Sequence, residues 1–484
     1  MTATSFRRRL RAVLATVGLL CSWFVFGGGE LSYCGELLSA EASARTPNIL
    51  LIMVDDLGWM DLHCQGNDRL ETPSLDQFAE QGVRFSNAYA AAPVCSPTRA
   101  ALMTGKTPAR LGITNHISAR DFVPDGAEWL PTPNVRFLDT AETTLAETLR
   151  EAGYRTAFFG KWHLAGIPGR QGLGDKRYYP ERHGFDVNFG GCAHGGPPTF
   201  FDPYGIHNLP NRKTGEYLPD RLVDEVIGYL EGAKSPADAA DDDRPFFVTL
   251  WNYTVHWPME APEPLVEKYQ SRIGPGIKDP RYAAMIEAMD HAFGRLFRFL
   301  DKSSLSSNTL VIFTSDNGAF GGVSDSRPLR ASKGYLYEGG IRVPLMVRWP
   351  GVTPAGKLLD SPVITMDLHA TILDAVGLPP AQPTDGRSLR GLLRGKPSTD
   401  RPLFFHYPNY AWHRDNRLGG AVREGDFKLI EWFDDQSVEL YNLRTDVGEQ
   451  RNLATANPQL AHQLRAKLAQ WRRDVGAVMP KPAD

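Results

Sequence analysis

Cysteine is scarce in this sequence, with five residues in a chain of 484. A disulfide framework is therefore not what stabilises it. Two of the five, Cys21 and Cys34, lie in the N-terminal leader, which leaves Cys64, Cys95 and Cys192. A Cys64–Cys192 bond stays open, and an unpaired cysteine calls for a reason. An excess of one charge is also missing. Lys and Arg number 53 against 56 Asp and Glu, a net charge of -3. That balance argues for neither nucleic acid nor an anionic membrane surface as a partner, so any anion site must be built locally. His and Cys do not cluster at zinc spacing. No apolar run after the leader is long enough to span a bilayer, and no internal repeat is present.

The leader has the three parts of a secretory signal. Arg7, Arg8, Arg9 and Arg11 precede an apolar run from about Ala12 to Gly29, and Ala42-Ser43-Ala44 offers a small-residue cleavage site. Residues 1–44 are thus expected to direct export to a non-cytoplasmic compartment. The run is also near the ~18–20 residues that span a bilayer, which keeps a retained anchor as the alternative. Stable membrane association is expected only if the leader is retained.

After the leader, strand-like and helix-like segments alternate. Asn48–Val54 is a continuous apolar run, the pattern of a strand buried on both faces. Ser74–Gln81 reads as a helix with Thr72 as N-cap and Pro73 at its first position. A strand is expected over Val83–Ala88, a helix over Thr144–Ala152 ended by Gly153, and strands over Tyr154–Phe159 and Phe246–Trp251. A long amphipathic helix follows at Arg281–Lys302, then strands at Leu310–Thr314 and Val343–Val347. This alternation predicts an α/β fold, a large mixed, mostly parallel sheet sandwiched by helices. From about Pro379 short strand-like pieces take over (Leu403–His406, Phe427–Trp432, Val438–Tyr441), closed by a helix over Pro458–Arg473. The expected division is a catalytic domain over residues 45–378 and a smaller C-terminal α+β subdomain, antiparallel sheet plus helix, over 379–484.

Functional residues of such a sheet collect beyond the carboxyl ends of its parallel strands. Three polar clusters fall there: Asp55-Asp56 after the first strand, Lys161 and His163 after Phe159, and Asp316-Asn317 after Thr314. A single such pair is commonly a turn, since Asp and Asn favour turns; three together are not. Asp55, Asp56, Asp316 and Asn317 supply four oxygen donors, the ligand type of Ca²⁺ or Mg²⁺. Cys95 opens the segment Cys95-Ser96-Pro97-Thr98-Arg99, whose continuation to Thr104 reads as a helix stopped by Gly105. That puts Cys95 at a helix N-terminus, where negative charge is favoured. Ala100–Thr107 also fits a relaxed phosphate-loop pattern, but it lies at the end of a helix instead of opening one, so its amides are committed to helical bonds.

Cys95-Ser96-Pro97-Thr98-Arg99-Ala100 resembles the signature of the type I, formylglycine-dependent sulfatases of the alkaline phosphatase-like superfamily. Asp55-Asp56-Leu57-Gly58, Gly160-Lys161-Trp162-His163-Leu164, Ser315-Asp316-Asn317-Gly318, Lys333 with Tyr337-Glu338-Gly339-Gly340, and His256 in Thr254-Val255-His256-Trp257-Pro258 are similar to that family's other active-site segments. The likeness runs from about Pro47 to about Leu453. It departs at Ala165, where the family usually has glycine. The resemblance implies that a maturation enzyme oxidises Cys95 to formylglycine. It implies one calcium ion, with magnesium less favoured, held by Asp55, Asp56, Asp316, Asn317 and the modified residue 95. One hydroxyl of the hydrated aldehyde attacks sulfur, and loss of a proton from the other expels the sulfate, an exit that an ordinary serine ester lacks. Arg99 and the metal favour the ionised nucleophile, Lys161 orients it, and His163 is the base for elimination. His256 and Lys333 hold the sulfate and protonate the leaving oxygen.

The implied function is hydrolysis of a sulfate ester, on a sulfated small molecule or glycan. A formylglycine-dependent phosphodiesterase or phosphonate hydrolase, and an inactive glycan-binding homologue, are the alternatives. Asn188–Tyr204 is rich in Gly and aromatic residues, with Arg182, His183, His194 and His207 in or near it. Its rings are expected to stack on a sugar, with His194 touching substrate; a plain Gly/Pro loop is the competing reading.

Overall fold

The computed structural model describes residues 46–169, 172–232, 244–397, 400–412 and 415–483. The leader and its proposed cleavage site lie outside these residues.

Eight strands form the main sheet: β1 (Asn48–Val54), β2 (Val83–Phe85), β3 (Arg155–Gly160), β4 (Val187–Phe189), β5 (Phe246–Asn252), β6 (Thr309–Ser315), β7 (Leu345–Arg348) and β8 (Lys357–Leu359). Their order across the sheet is β8-β2-β7-β6-β1-β5-β3-β4. β7 runs antiparallel to both neighbours, and every other pairing is parallel. β1 lies between β5 and β6, with Ile49 through Val54 fully buried, which is why that strand reads as an unbroken apolar run.

The helices include α1 (Pro73–Gln81), α2 (Cys95–Thr104), α3 (Leu145–Glu151), α4 (Leu218–Leu230), α5 (Glu263–Gln270), α6 (Pro280–Lys302), α7 (Thr365–Ala375) and α8 (Pro458–Val475). α6 is the expected amphipathic helix, burying Ala284, Met285, Phe293 and Leu296 and leaving Arg281 and His291 outside. α3 begins with a capping box between Thr144 and Glu147. Thr72 stands before α1 but does not cap it. The first amides of α1, Ser74 N–H and Leu75 N–H, donate to the Asp290 carboxylate of α6 at 3.0 and 2.8 Å. A distant acid thus takes the role that sequence assigned to the adjacent threonine.

The second sheet is four-stranded and antiparallel: β9 (Leu403–Tyr407), β10 (Gly419–Glu424), β11 (Phe427–Trp432) and β12 (Val438–Asn442), with α8 packed on it. Sequence reasoning missed β10, because Gly419-Gly420 at its start carries no strand signal. It also missed α4 and α7. The strand expected over Val83–Ala88 breaks after Phe85, and Ala88–Tyr89 pairs instead with Val363–Ile364. Cys64 and Cys192 are not bonded to each other. No helix among the described residues is long and apolar enough to cross a membrane.

Candidate active site

The carboxyl ends of four parallel strands converge. β1 delivers Asp55 and Asp56, β3 delivers Lys161 and His163, β5 leads to His256, and β6 leads to Asp316 and Asn317. Register does much of this work: Val54 lies opposite Ser315 on one side and Asn252 on the other. Asp56 N–H donates to Asp316 Oδ1 at 3.2 Å, and Asn317 Nδ2 donates to Asp56 Oδ1 at 2.8 Å. Asp56 and His163 adopt left-handed backbone, with φ of 59° and 58°. Such conformations cost on the order of 1–3 kcal/mol each and persist where surrounding contacts enforce them.

Cys95 is the first residue of α2 and is 2% exposed. Thr98 Oγ1 and the backbone of Ala92 bond in both directions at 3.2 Å. Ser96 Oγ donates to His163 O at 3.1 Å and accepts from Ile117 N–H at 3.0 Å. These bonds lock the turn that presents Cys95, and Gly105, at φ 70°, ends the helix. Arg99 is fully buried. Its Nε and Nη2 donate to Asp316 Oδ2 at 2.9 and 2.7 Å, and Nη1 donates to Lys161 O at 2.6 Å. The phosphate-loop likeness ends here: Ala100–Thr104 are helical and Lys106 pairs with Glu142 at 2.5 Å.

Three buried carboxylates meet three buried cations. Lys161 Nζ lies 2.6 Å from Asp55 Oδ2, and Lys333 Nζ lies 2.6 and 2.8 Å from the two oxygens of Asp56. With Arg99 on Asp316, the pocket is close to neutral. Burial pushes the Asp55 carboxyl well above its ordinary range, and the charges of Asp316 and Asp56 add to this against the pull of Lys161. Burial also penalises Asp56, but Lys333, then His256 and Lys161, hold it below its ordinary value. Arg99 and Lys161 do the same for Asp316. Lys333 is held above the usual lysine value despite burial, by Asp56 and then Cys95.

Cys95 Sγ is 3.3 Å from His163 Nδ1, and His163 Nε2 lies 2.8 Å from the carbonyl of Ile117. A carbonyl only accepts, so Nε2 carries the hydrogen. Burial, reinforced by Lys161, pushes His163 well below its ordinary value. The ring is neutral, with the Nδ1 lone pair toward residue 95. His256 Nδ1 donates to Trp257 O at 2.8 Å, and Nε2 lies 3.9 Å from Asp56 Oδ2. Burial, then Lys333, lowers His256 to about 3.

The segment Asn188–Tyr204 borders the site through its glycines, not its rings. A Cβ on Gly195 would lie 2.8 Å from the His163 ring, and one on Gly196 would lie 2.4 Å from His256 Nδ1. Phe200 and Tyr204 are buried in the core, and Phe189 stacks on Phe159. The expectation that these rings stack on a sugar is therefore corrected. His183 is a core residue beside Trp162, His207 bonds to Tyr179, Arg182 faces solvent, and His194 packs under Gly172.

Two residues that sequence reasoning missed stand at the pocket wall. Burial lowers the half-buried His116 to about 3, and the charges of His163, Lys333 and Lys161 reach it. Trp412 stands 5.9 Å from Lys333 Nζ and 6.3 Å from the His116 ring. A lone histidine in a loop and a tryptophan far along the chain carry no spacing signal.

The residues fit a hard divalent cation. Asp55, Asp56 and His256 bring ligand-type atoms within 4.8 Å of one another. Asp55 Oδ1 and Asn317 Oδ1 are buried without a hydrogen-bond partner among the described residues, a costly state that a cation relieves. Asp316 and Cys95 stand outside that tight group: Asp316 faces Arg99, and Cys95 faces His163.

The family profile described as Sulfatase matches residues 47–378. This chain belongs to the sulfatase family. It is a sulfatase, an enzyme that hydrolyses sulfate esters. A second profile, N-sulphoglucosamine sulphohydrolase, C-terminal, matches residues 331–474. The sulfatase is 32% identical to the N-acetylgalactosamine-6-sulfatase of Canis lupus familiaris, over 92% of this chain and 83% of that one. It is also 32% identical to a sulfatase of Formosa agariphila, covering 88% and 89% of the two chains. Among solved structures it resembles Ps i-CgsB in complex with k-i-k-neocarrahexaose, with a TM-score of 0.74 and 29% identity over 88% and 93% of the chains. The mixed sheet and smaller antiparallel sheet match that neighbour.

Proposed function

We propose that this sulfatase removes a sulfate ester from a sulfated carbohydrate, using formylglycine at position 95 and a bound calcium ion. The observation that carries the reading is Cys95 at the head of α2, its Sγ 3.3 Å from the Nδ1 of a neutral His163. In this chain Sγ stands where the modified residue has a hydroxyl oxygen. Formylglycine would supply, as its hydrate, a nucleophilic hydroxyl and a second hydroxyl whose loss of a proton expels the sulfate and restores the aldehyde. Calcium, held by Asp55, Asp56, Asp316 and Asn317, supplies charge neutralisation for the anionic ester.

The remaining work falls to this chain's own side chains. His163 Nδ1 is placed to take a proton from residue 95, because its other nitrogen is committed to Ile117 O. Lys161 and Arg99 bring positive charge beneath the nucleophile. Lys333 stays protonated beside Asp56 and binds a sulfate oxygen. His256, tethered by Nδ1, points Nε2 into the pocket toward the leaving oxygen. Gly195 and Gly196 let the backbone pass close to both histidines.

A carbohydrate substrate is supported by the relatives, which include an N-acetylgalactosamine-6-sulfatase and a structure bound to a neocarrahexaose. Export and a maturation enzyme that oxidises Cys95 belong to the same proposal, on the strength of the leader and the Cys95–Arg99 segment. Peptide mass spectrometry across Cys95, on protein made with its maturation enzyme, tests the proposal when paired with a nitrophenyl sulfate assay. The mass loss of thiol-to-aldehyde conversion together with turnover is the expected result. Unmodified cysteine in active protein would overturn the formylglycine reading.

A further inference from the structure

Asn409 and Asn416, between β9 and β10, anchor the chain beside the catalytic pocket. Asn409 Nδ2 donates to Thr114 O at 3.1 Å, and Asn416 Nδ2 donates to Gly334 O at 3.2 Å. Between these anchors sits Trp412. Gly334, next to Lys333, leaves room for it: a Cβ there would lie 3.1 Å from Trp412 Cη2. The ring is half-buried, with Lys333 Nζ 5.9 Å from its centroid and Phe320 at 6.0 Å.

His116 meets that ring at 6.3 Å and an interplanar angle of 68°. Its Nδ1 lies 3.1 Å from Asn115 Oδ1, which also accepts from Tyr407 Oη at 3.0 Å, so β9 helps to orient the imidazole. An amide oxygen only accepts, which puts the His116 hydrogen on Nδ1 and leaves the Nε2 lone pair as an acceptor. An apolar ring face beside an acceptor, at the edge of a pocket where Lys333 and Lys161 face Asp56 and Asp55, matches a sugar. A pyranose has an apolar C–H face and hydroxyl donors.

We propose that Trp412 and His116 form the leaving-group subsite of this enzyme: Trp412 stacks on the pyranose that carries the scissile sulfate, and His116 Nε2 accepts a hydrogen bond from one of its hydroxyls. The proposal rests on the sulfatase reading and adds which residues select a sugar over an aryl group. Trp412 follows β9 of the small sheet and His116 follows α2, so this sugar subsite is built from two distant parts of the chain beside the strand ends.

The test compares kcat/KM on monosulfated galacto- and glucopyranosides with kcat/KM on nitrophenyl sulfate. The variants are Trp412→Leu, Trp412→Phe, His116→Ala and His116→Gln, each checked for an unaltered melting curve. For the best saccharide, Trp412→Leu and His116→Ala are expected to lower the saccharide-to-aryl ratio about three- to tenfold through KM, as an aromatic contact of this size implies. Trp412→Phe and His116→Gln, which keep a ring and an acceptor, are expected to recover most of it. Parallel losses on both substrate types would overturn the proposal and make both residues structural. Saturation-transfer NMR of the same saccharide on protein with unmodified Cys95 reads the subsite without turnover. Failure of the wild type to cleave any sulfate ester would count against the sulfatase chemistry alone. Equal saccharide binding by the wild type and Trp412→Leu would sink the subsite.

Discussion

His163 reaches Cys95 from a left-handed backbone position, φ 58°, that only the fold holds in place. Its Nε2 is anchored 2.8 Å from Ile117 O, and its Nδ1 lies 3.3 Å from Cys95 Sγ. The ring cannot present a hydrogen to both sides while neutral, so its polarity is set by the carbonyl. His163→Ala is expected to lower kcat about 10²–10⁴-fold, the usual worth of a positioned acid or base. Burst kinetics on an aryl sulfate should retain a first-turnover burst while steady-state release slows. A variant that loses burst and steady state together would place His163 in the attack step instead.

The crowded carboxylates make a prediction about the cation. Chelation should abolish turnover, and Ca²⁺ should restore it at lower concentration than Mg²⁺, since an all-oxygen set with a large donor count suits the larger ion. Added Ca²⁺ should also raise the melting temperature, because binding only to the folded state stabilises it. Asp55→Asn takes away the carboxylate that faces the buried Lys161 ammonium at 2.6 Å, so the cation-free variant should melt below the wild type, and turnover should be lost. Full activity after exhaustive chelation would refute a catalytic cation.

Gly196 offers a steric test. A methyl group there would lie 2.4 Å from His256 Nδ1 and 2.9 Å from Trp257 O. Gly196→Ala is expected to displace His256 and lower kcat/KM about tenfold or more, since positions within a catalytic constellation tolerate little displacement. Near-ultraviolet circular dichroism should stay close to wild type. Unchanged kinetics would mean that His256 is dispensable in its present orientation.

Away from the pocket, Lys428 is shared by two buried carboxylates, Glu338 at 3.0 Å and Glu449 at 2.9 Å. Burial, offset by Lys428 and reinforced by Glu338, pushes Glu449 up from 4.5 to about 7. The folded chain therefore binds a proton that the unfolded chain has released between these two values. Stability from this group is present below about pH 4.5 and is lost as pH rises toward about 7. Glu449→Gln lacks that loss. Relative to wild type, its stability should be higher at pH 8 than at pH 5, by on the order of 1–3 kcal/mol. Chemical denaturation at the two pH values checks the sign, and an equal difference at both would refute it.

Much of the fold was legible because two signals are local. Asn48–Val54 is apolar without interruption because both faces of β1 are covered, and Pro280–Lys302 alternates at helical period because one face is not. What escaped notice lacked such a signal. β10 opens on Gly419-Gly420 and is held by its neighbours. The carboxylate that accepts the first amides of α1 belongs to Asp290, 216 positions from Ser74, where no local rule looks.

The sequence by itself determined that acids follow two strands, that a lysine and a histidine follow a third, and that Cys95 heads a helix, because strand ends and helix starts are written within a few residues. Tertiary structure alone decided which charge faces which. It paired Lys333 with Asp56 across 277 positions and Arg99 with Asp316 across 217. It also buried Phe200 and Tyr204 of Asn188–Tyr204 in the core and brought Trp412 within reach of Lys333. Composition says which side chains are able to stack on a sugar. Whether a ring faces solvent or core depends on packing between segments far apart in the chain, and no local pattern encodes that.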